Sequence, residues 1–342
     1  MKSVLAITMG DPAGIGPEIV VKALADQSLY EDCIPIVIGD AFVIQDAIRF
    51  CGSSLSLRQI DKPENAHGSY GTVECIDVHA LSPETYHLGE VSAACGHAAF
   101  QYVITGIQYA MRKQIQGVVT GPLNKEALHL AGHMYSGHTE IFADYTNTKD
   151  YAMLLIGGGL RVIHCTTHVS MRKACNMITQ DRVYHVIKLA HQAMQMMGLA
   201  NGTIGVAGLN AHCSENGLFG NEEAREIRPA VDQAAAEGIR VEGPIPPDTI
   251  FVKALGGQYS IVVAMYHDQG HIPLKLMGFH MDPETGIFSS VSGINTTIGL
   301  PIIRTSVDHG TAFDKAGRNE ANPQSLKEAI LLAAQMAQYD GR

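Results

Sequence analysis

Three histidines carry the strongest chemical signal in the chain. The β-prone run Arg161–Cys165 is followed by His168, Gly202–Leu209 by His212, and Ser260–Tyr266 by His267. Each imidazole therefore stands just beyond the carboxyl end of an expected strand. Ligands of open α/β sheets collect outside those ends, so the three rings could converge on one point. Three neutral ring nitrogens with open positions suit a catalytic divalent metal such as zinc, which polarises a substrate oxygen. The competing reading is ordinary: the chain holds 16 histidines, and one near a strand end often serves only as a hydrogen-bonded loop residue. The repeated placement adds weight to convergence, although no short motif joins the three to one another.

Other candidates are polar clusters at expected strand-to-loop junctions. Lys275, Asn295 and Arg304 follow the third histidine, and a lysine with a forked arginine is what phosphate recognition needs in an acidic protein; each also reads as a surface group. Gly137-His138-Thr139-Glu140 is either a polar-ligand contact or a helix start capped by Thr139. Lys125, closing Thr120–Lys125, either meets a carboxylate or is a solvated helix-start lysine. The loop Gly10–Glu18 lacks the G-x-G-x-x-G spacing and the Gly-Lys-Ser/Thr of a P-loop, and on pattern it is a tight strand-to-helix turn. Asp308-His309 reads as a hydrogen-bonded corner, because neighbours on an extended segment point opposite ways. Candidates for a general base are Lys125, Asp248, Asp268 and His138. With no Rossmann fingerprint, a dinucleotide is assigned only to the stretch Gly208–Gly220, through Gly208, Asn210, Asn216 and Gly217.

The elements that must position these groups alternate. Val4–Thr8, Ile34–Ile38, Gly117–Thr120 and Ala152–Ile156 join the three histidine-bearing runs as expected strands, separated by helical stretches. That alternation predicts a mainly parallel sheet covered by helices. Helices are expected after Pro17 and after Asn322-Pro323, where Leu326, Ala329, Ile330, Ala333 and Ala337 form a stripe. The polar stretch Ser56–Gly71 reads as an exposed excursion. A length of 342 residues favours two α/β domains, with an edge expected near Tyr135–Glu140. A formal charge of −10 without a Lys/Arg-rich run makes nucleic acid and acidic membranes poor partners. Seven cysteines form no C-x-x-C pair, Val4–Met9 is too short for a signal-peptide core, and no apolar run spans a bilayer, so the cytoplasm is expected.

Eight ordered motifs give the chain a family resemblance: Gly10–Glu18 (GDPAGIGPE), Thr120–Lys125 (TGPLNK), Ser136–Glu140 (SGHTE), Thr166–His168 (TTH), Gly208–His212 (GLNAH), Pro247–Thr249 (PDT), Tyr266–Gly270 (YHDQG) and Gly299–Thr311 (GLPIIRTSVDHGT). Over essentially its full length the chain resembles the PdxA family, 4-hydroxythreonine-4-phosphate dehydrogenase and its relatives. The resemblance implies an isocitrate-dehydrogenase-like fold of two α/β/α domains, residues 1–137 with 305–342 and residues 138–304, and an active-site cleft between them in a homodimer. It implies a divalent metal (zinc, magnesium, cobalt or manganese) on His168, His212 and His267, and substrate contacts from His138, Thr139, Lys275, Asn295 and Arg304. The implied cofactor is NAD or NADP, with NAD preferred.

One departure bears on the substrate. Between Phe279 and Asn295 the chain carries a longer segment than the vitamin B6 enzymes, and with the Thr8-Met9-Gly10-Asp11 opening it is similar to the relatives acting on D-threonate or D-erythronate 4-phosphate. The implied reaction oxidises the C3 hydroxyl by hydride transfer to nicotinamide and then releases carbon dioxide from the β-keto acid. A hydroxyl at C2 gives dihydroxyacetone phosphate, and an amino group gives 3-amino-2-oxopropyl phosphate, the vitamin B6 alternative. Two other classes remain to be separated by assay: a phosphate-binding acyltransferase and a non-catalytic sensor of phosphorylated sugar acids.

Overall fold

A computed structural model of the chain describes residues 2–281, 283, 288–291 and 293–339. The branch-marking segment Phe279–Asn295 lies partly outside them, at 282, 284–287 and 292. The strands are β1 (Ser3–Thr8), β2 (Cys33–Gly39), β3 (Ser56–Gln59), β4 (Thr72–Asp77), β5 (Gly117–Thr120), β6 (Ala152–Gly157), β7 (Leu160–His164), β8 (Ile204–Ala207), β9 (Val241–Ile245), β10 (Ile261–Ala264), β11 (Phe279–Met281), β12 (Phe288–Val291), β13 (Ile294–Ile298) and β14 (Ile303–Val307). Two compact units form: the chain up to Lys149 with the segment from Leu300 onward, and Asp150–Gly299.

In the first unit six parallel strands run in the order β3-β4-β2-β1-β5-β14. Strands covered on both faces read as continuous apolar runs, and Leu5, Ile7, Ile36, Ile38 and Val118 are fully buried. Pro17 opens the helix Gly16–Leu24 in its first turn. Ser92 caps the helix Ala93–Met111 by accepting the Cys95 N–H at 3.1 Å. Gly96 lets that helix touch the next one, Lys125–Leu130: a Cβ there would lie 2.1 Å from the Ala127 carbonyl oxygen. The stretch read as an excursion from Ser56 begins instead with the edge strand β3, paired with β4.

The second unit is mainly parallel too, but with one strand reversed: β6 alone runs against the other five. Its order is β13-β6-β7-β10-β8-β9, with β13 and β7 antiparallel to β6 and the remaining neighbours parallel. The reason is local: Gly158 and Gly159, with φ of 57° and 85°, form a two-residue turn that returns the chain directly, where the alternation had predicted a helical crossover. Leu155, Val162, Val262, Ala264, Ile250 and Leu274 pack the core over this sheet. A further hairpin pairs β11 with β12. Among the described residues no helix is long and apolar enough to cross a membrane.

The unit boundaries differ from those expected at 137/138 and 304/305. Helix His138–Tyr145 packs with the helix Ala93–Met111, and β14 pairs with β5, so His138, Thr139 and Arg304 belong to the first unit. Arg304 lies on a buried strand rather than at the surface.

Candidate functional site

In the first unit the central group is Arg304. It projects from β14 with 2% exposure, its Nη2 donates to Thr120 Oγ1 at 3.2 Å, and its guanidinium lies 5.7 Å from the Phe142 ring centre. Burial pushes its pKa down to about 9, with Glu140 nearby opposing, so it stays charged at neutral pH. His138 is the first residue of its helix, with Gly137 at the cap position and Thr139 inside the first turn, so Thr139 is not the cap. The His138 Nε2 is enclosed and has no hydrogen-bond partner among the described residues. Burial, and then the Arg304 charge, holds this imidazole far below its ordinary pKa, so it is neutral. A dry cation beside an enclosed neutral imidazole is chemistry suited to an anionic oxygen. Lys125 is exposed at the start of the helix that Asn124 caps through the Ala127 N–H at 2.8 Å.

In the second unit β7, β10 and β8 are adjacent and parallel, so the loops bearing His168, His267 and His212 leave one edge of the sheet. The structure brings two of those rings together: His168 and His267 have centroids 5.7 Å apart. His212 Nδ1 faces Asp248 Oδ2 at 4.0 Å, and no group of three potential metal ligands converges among the described residues. His267 Nδ1 meets Asp268 Oδ1 at 2.6 Å. A carboxylate only accepts, so Nδ1 carries the proton and Nε2 offers a lone pair.

Two further histidines, overlooked in the sequence, complete this cluster. His271 stacks on His267 with centroids 3.6 Å apart and planes at 14°, and His164 lies 4.8 Å beyond it. Burial lowers the His271 pKa to about 4 and that of His164 to about 3. The signal was the H-x-x-x-H spacing of His164/His168 and of His267/His271; the second pair lies one helical turn apart. Lys275, on the same helix, reaches over the Phe279 ring at 4.6 Å, and Asn295 donates to the Met153 sulfur at 3.2 Å.

The loop after β8 is held by a residue with no expected role. Glu223, 4% exposed, accepts the N–H groups of Leu209 at 2.8 Å and Asn210 at 2.6 Å, the Asn210 side-chain amide at 3.0 Å, and the Ser214 hydroxyl. Burial alone would raise its pKa, but the Ser214 and Asn210 hydrogen bonds bring it below the ordinary value. These bonds hold His212, Cys213, Ser214, Glu215 and Asn216 in a left-handed run with φ between 45° and 64°. Such a run costs about 1 kcal/mol or more per residue. The loop walls a cavity of about 540 Å³ lined by His212, Asn216, Gly217, Glu223 and Arg228 among others. Of the expected cofactor contacts, Asn216 and Gly217 line this cavity, while Asn210 is engaged by Glu222 and Glu223 and the Gly208 carbonyl accepts from Gln269 at 2.8 Å.

Two α/β units, one with a buried cation and one with imidazoles at strand ends, carry side chains suited to small anionic ligands. The family model described as "Pyridoxal phosphate biosynthetic protein PdxA" matches residues 31–333, and the chain belongs to the PdxA family of dehydrogenases. It is 47% identical over 335 residues to the D-threonate 4-phosphate dehydrogenase of Cupriavidus necator, covering 98% of this chain and 97% of that one. It is 44% identical over 338 residues to the enzyme of the same name from Pectobacterium atrosepticum, covering 98% and 100%. Among solved structures, the 4-hydroxythreonine-4-phosphate dehydrogenase of Klebsiella pneumoniae matches with TM-score 0.86 and 45% identity, covering 98% of this chain and 100% of that one.

Proposed function

We propose that the chain oxidises the C3 hydroxyl of D-threonate 4-phosphate, or of D-erythronate 4-phosphate, with NAD, and that loss of carbon dioxide then gives dihydroxyacetone phosphate. The observation that carries this reading is Arg304, a guanidinium 2% exposed, beside an enclosed imidazole nitrogen without a partner among the described residues. A buried guanidinium forks well onto anionic oxygens, and a phosphorylated acid offers two anionic groups. The names of the Cupriavidus and Pectobacterium relatives support a hydroxyl at C2. The Klebsiella structure's name keeps 4-hydroxythreonine 4-phosphate as the alternative.

On this reading His138, Thr139, Arg304, Lys275 and Asn295 are the substrate contacts. His168, His212 and His267 would hold a divalent ion, which would supply Lewis-acid polarisation of a substrate oxygen. The fit rests on His267: the Asp268 carboxylate fixes its protonated Nδ1 and leaves Nε2 for an ion, the arrangement of metal-ligating histidines. That engagement suits Asp268 to orientation, leaving Lys125, Asp248 and His138 as candidates to take the hydroxyl proton. Asn216 and Gly217, with the cavity they line, are the candidate dinucleotide contacts. A homodimer is supported by Ile272 and Leu276, 65% and 76% exposed on the helix His267–Gly278. Seven free thiols support a cytoplasmic setting.

NADH formation on the three phosphorylated acids at limiting concentration, before and after metal stripping, tests the reading. D-Threonate or D-erythronate 4-phosphate should lead by a wide margin, because a pocket built for a hydroxyl leaves its partners unpaired against an ammonium. Activity should vanish without metal. A clear advantage for the amino acid would return the chain to vitamin B6 chemistry. Tight binding without NADH would indicate a sensor, and metal-independent acyl transfer would indicate the other class.

A further inference from the structure

We propose that His271 is a positioning residue that holds the His267 imidazole in the attitude an ion requires. The inference rests on the metal reading of His267. A histidine in the first turn of a helix has two free side-chain torsions, and Asp268 restrains only one edge of the ring. A single hydrogen bond leaves the plane free to rock about the Nδ1···Oδ1 line. His271 removes that freedom by covering a face: the rings are 3.6 Å apart at their centroids and within 14° of parallel.

His271 is itself anchored. Its Nδ1 donates to the His267 carbonyl oxygen at 2.9 Å, so the stacked ring is tied to the backbone of the residue it supports. Behind it stands His164, 1% exposed, whose Nδ1 donates to the Met153 carbonyl at 3.3 Å. Gly270 is packed against His164 so closely that a Cβ there would lie 2.4 Å from Nε2. The support therefore runs from strands β6 and β7 through His164 and His271 to His267. Orientation of this kind by outer groups typically tunes metal affinity 10- to 100-fold.

The test measures Zn²⁺ affinity by competition with a chromophoric chelator, together with the visible absorption of the Co²⁺ form and the melting temperature of the metal-free chain. Wild type is compared with His267→Ala, His271→Ala, His271→Phe and His271→Gln. His271→Ala should weaken Zn²⁺ about 10- to 100-fold and alter the Co²⁺ band. Phe, which keeps a flat ring, should recover most of the affinity, and Gln, which keeps a donor but no ring, should not. If Ala at this position prevents folding, the Phe/Gln contrast carries the test. Wild-type affinity in His271→Ala, or Phe binding no better than Gln, overturns the proposal while leaving His267 as a ligand. Wild-type affinity in His267→Ala overturns the metal reading, and the proposal falls with it.

Discussion

The polar groups of the two units live in opposite surroundings. In the first unit Asp11, Glu18 and Arg304 are all 2% exposed or less. In the second, His168, His212, Asp248 and Asp268 are exposed, and their order comes from neighbours such as Glu223, Asp268 and His271. A dry cation discriminates strongly between charged and uncharged ligands but burdens the fold. Exposed donors are reachable from solvent and cost little, so their precision has to come from the residues behind them. Variants should consequently move activity and stability in different combinations in the two units.

The largest expected effect is at Arg304. Arg304→Met should lower kcat/KM for the phosphorylated substrate by about 2–5 kcal/mol, some 30-fold to several-thousand-fold. The melting temperature should hold or rise, because an apolar side chain of similar length replaces a buried charge. Activity and stability falling together would show the guanidinium to be structural and would break the contrast.

His212→Ala comes next, with Zn²⁺ affinity about 10- to 100-fold weaker and metal-free stability changed by less than about 0.5 kcal/mol. Full occupancy with normal turnover would remove His212 from the site.

Asp11 sharpens the first unit's side of the comparison. Burial raises its carboxyl pKa from 3.8 to about 6 despite the Ala13 N–H, and its Oδ2 has no partner among the described residues. An acid with a raised folded pKa binds its proton more tightly when folded, so its stabilising contribution is complete below pH 3.8 and is lost as pH rises through about 6. Asp11→Asn should therefore gain stability over wild type at pH 7.5, by up to about 3 kcal/mol, and gain nothing at pH 4. Equal denaturation midpoints for the two proteins at pH 7.5 would contradict it. The smallest effect is expected from Glu223→Gln, which weakens one acceptor beneath a left-handed loop and should cost about 1–2 kcal/mol. Hydrogen exchange at Leu209 and Asn210 should speed up while that of the first unit stays unchanged.

Much of this arrangement was legible where the signal was local. The runs before His168, His212 and His267 are strands, at Leu160–His164, Ile204–Ala207 and Ile261–Ala264. What escaped depended on distant partners. Arg304 read equally well as a surface charge because the groups that bury it, Thr120 and Phe142, lie more than 150 positions earlier in the chain. Glu223 carried no motif, since its task is set by a backbone loop that only the fold defines. The unit boundaries escaped for the same reason: the pairing of β14 with β5 bridges the whole second unit in sequence.

That pairing also orders events during synthesis. The first unit cannot complete its sheet until Asp150–Gly299 has been translated, so β1 to β5 emerge with the β5 edge open. At roughly 5–20 residues per second, the second unit takes on the order of ten seconds to appear. Throughout that interval the nascent chain lacks Arg304, so on the proposed reading substrate stabilises only the finished polypeptide, and slowed translation across the second unit would prolong the exposure of an unpaired strand edge to aggregation.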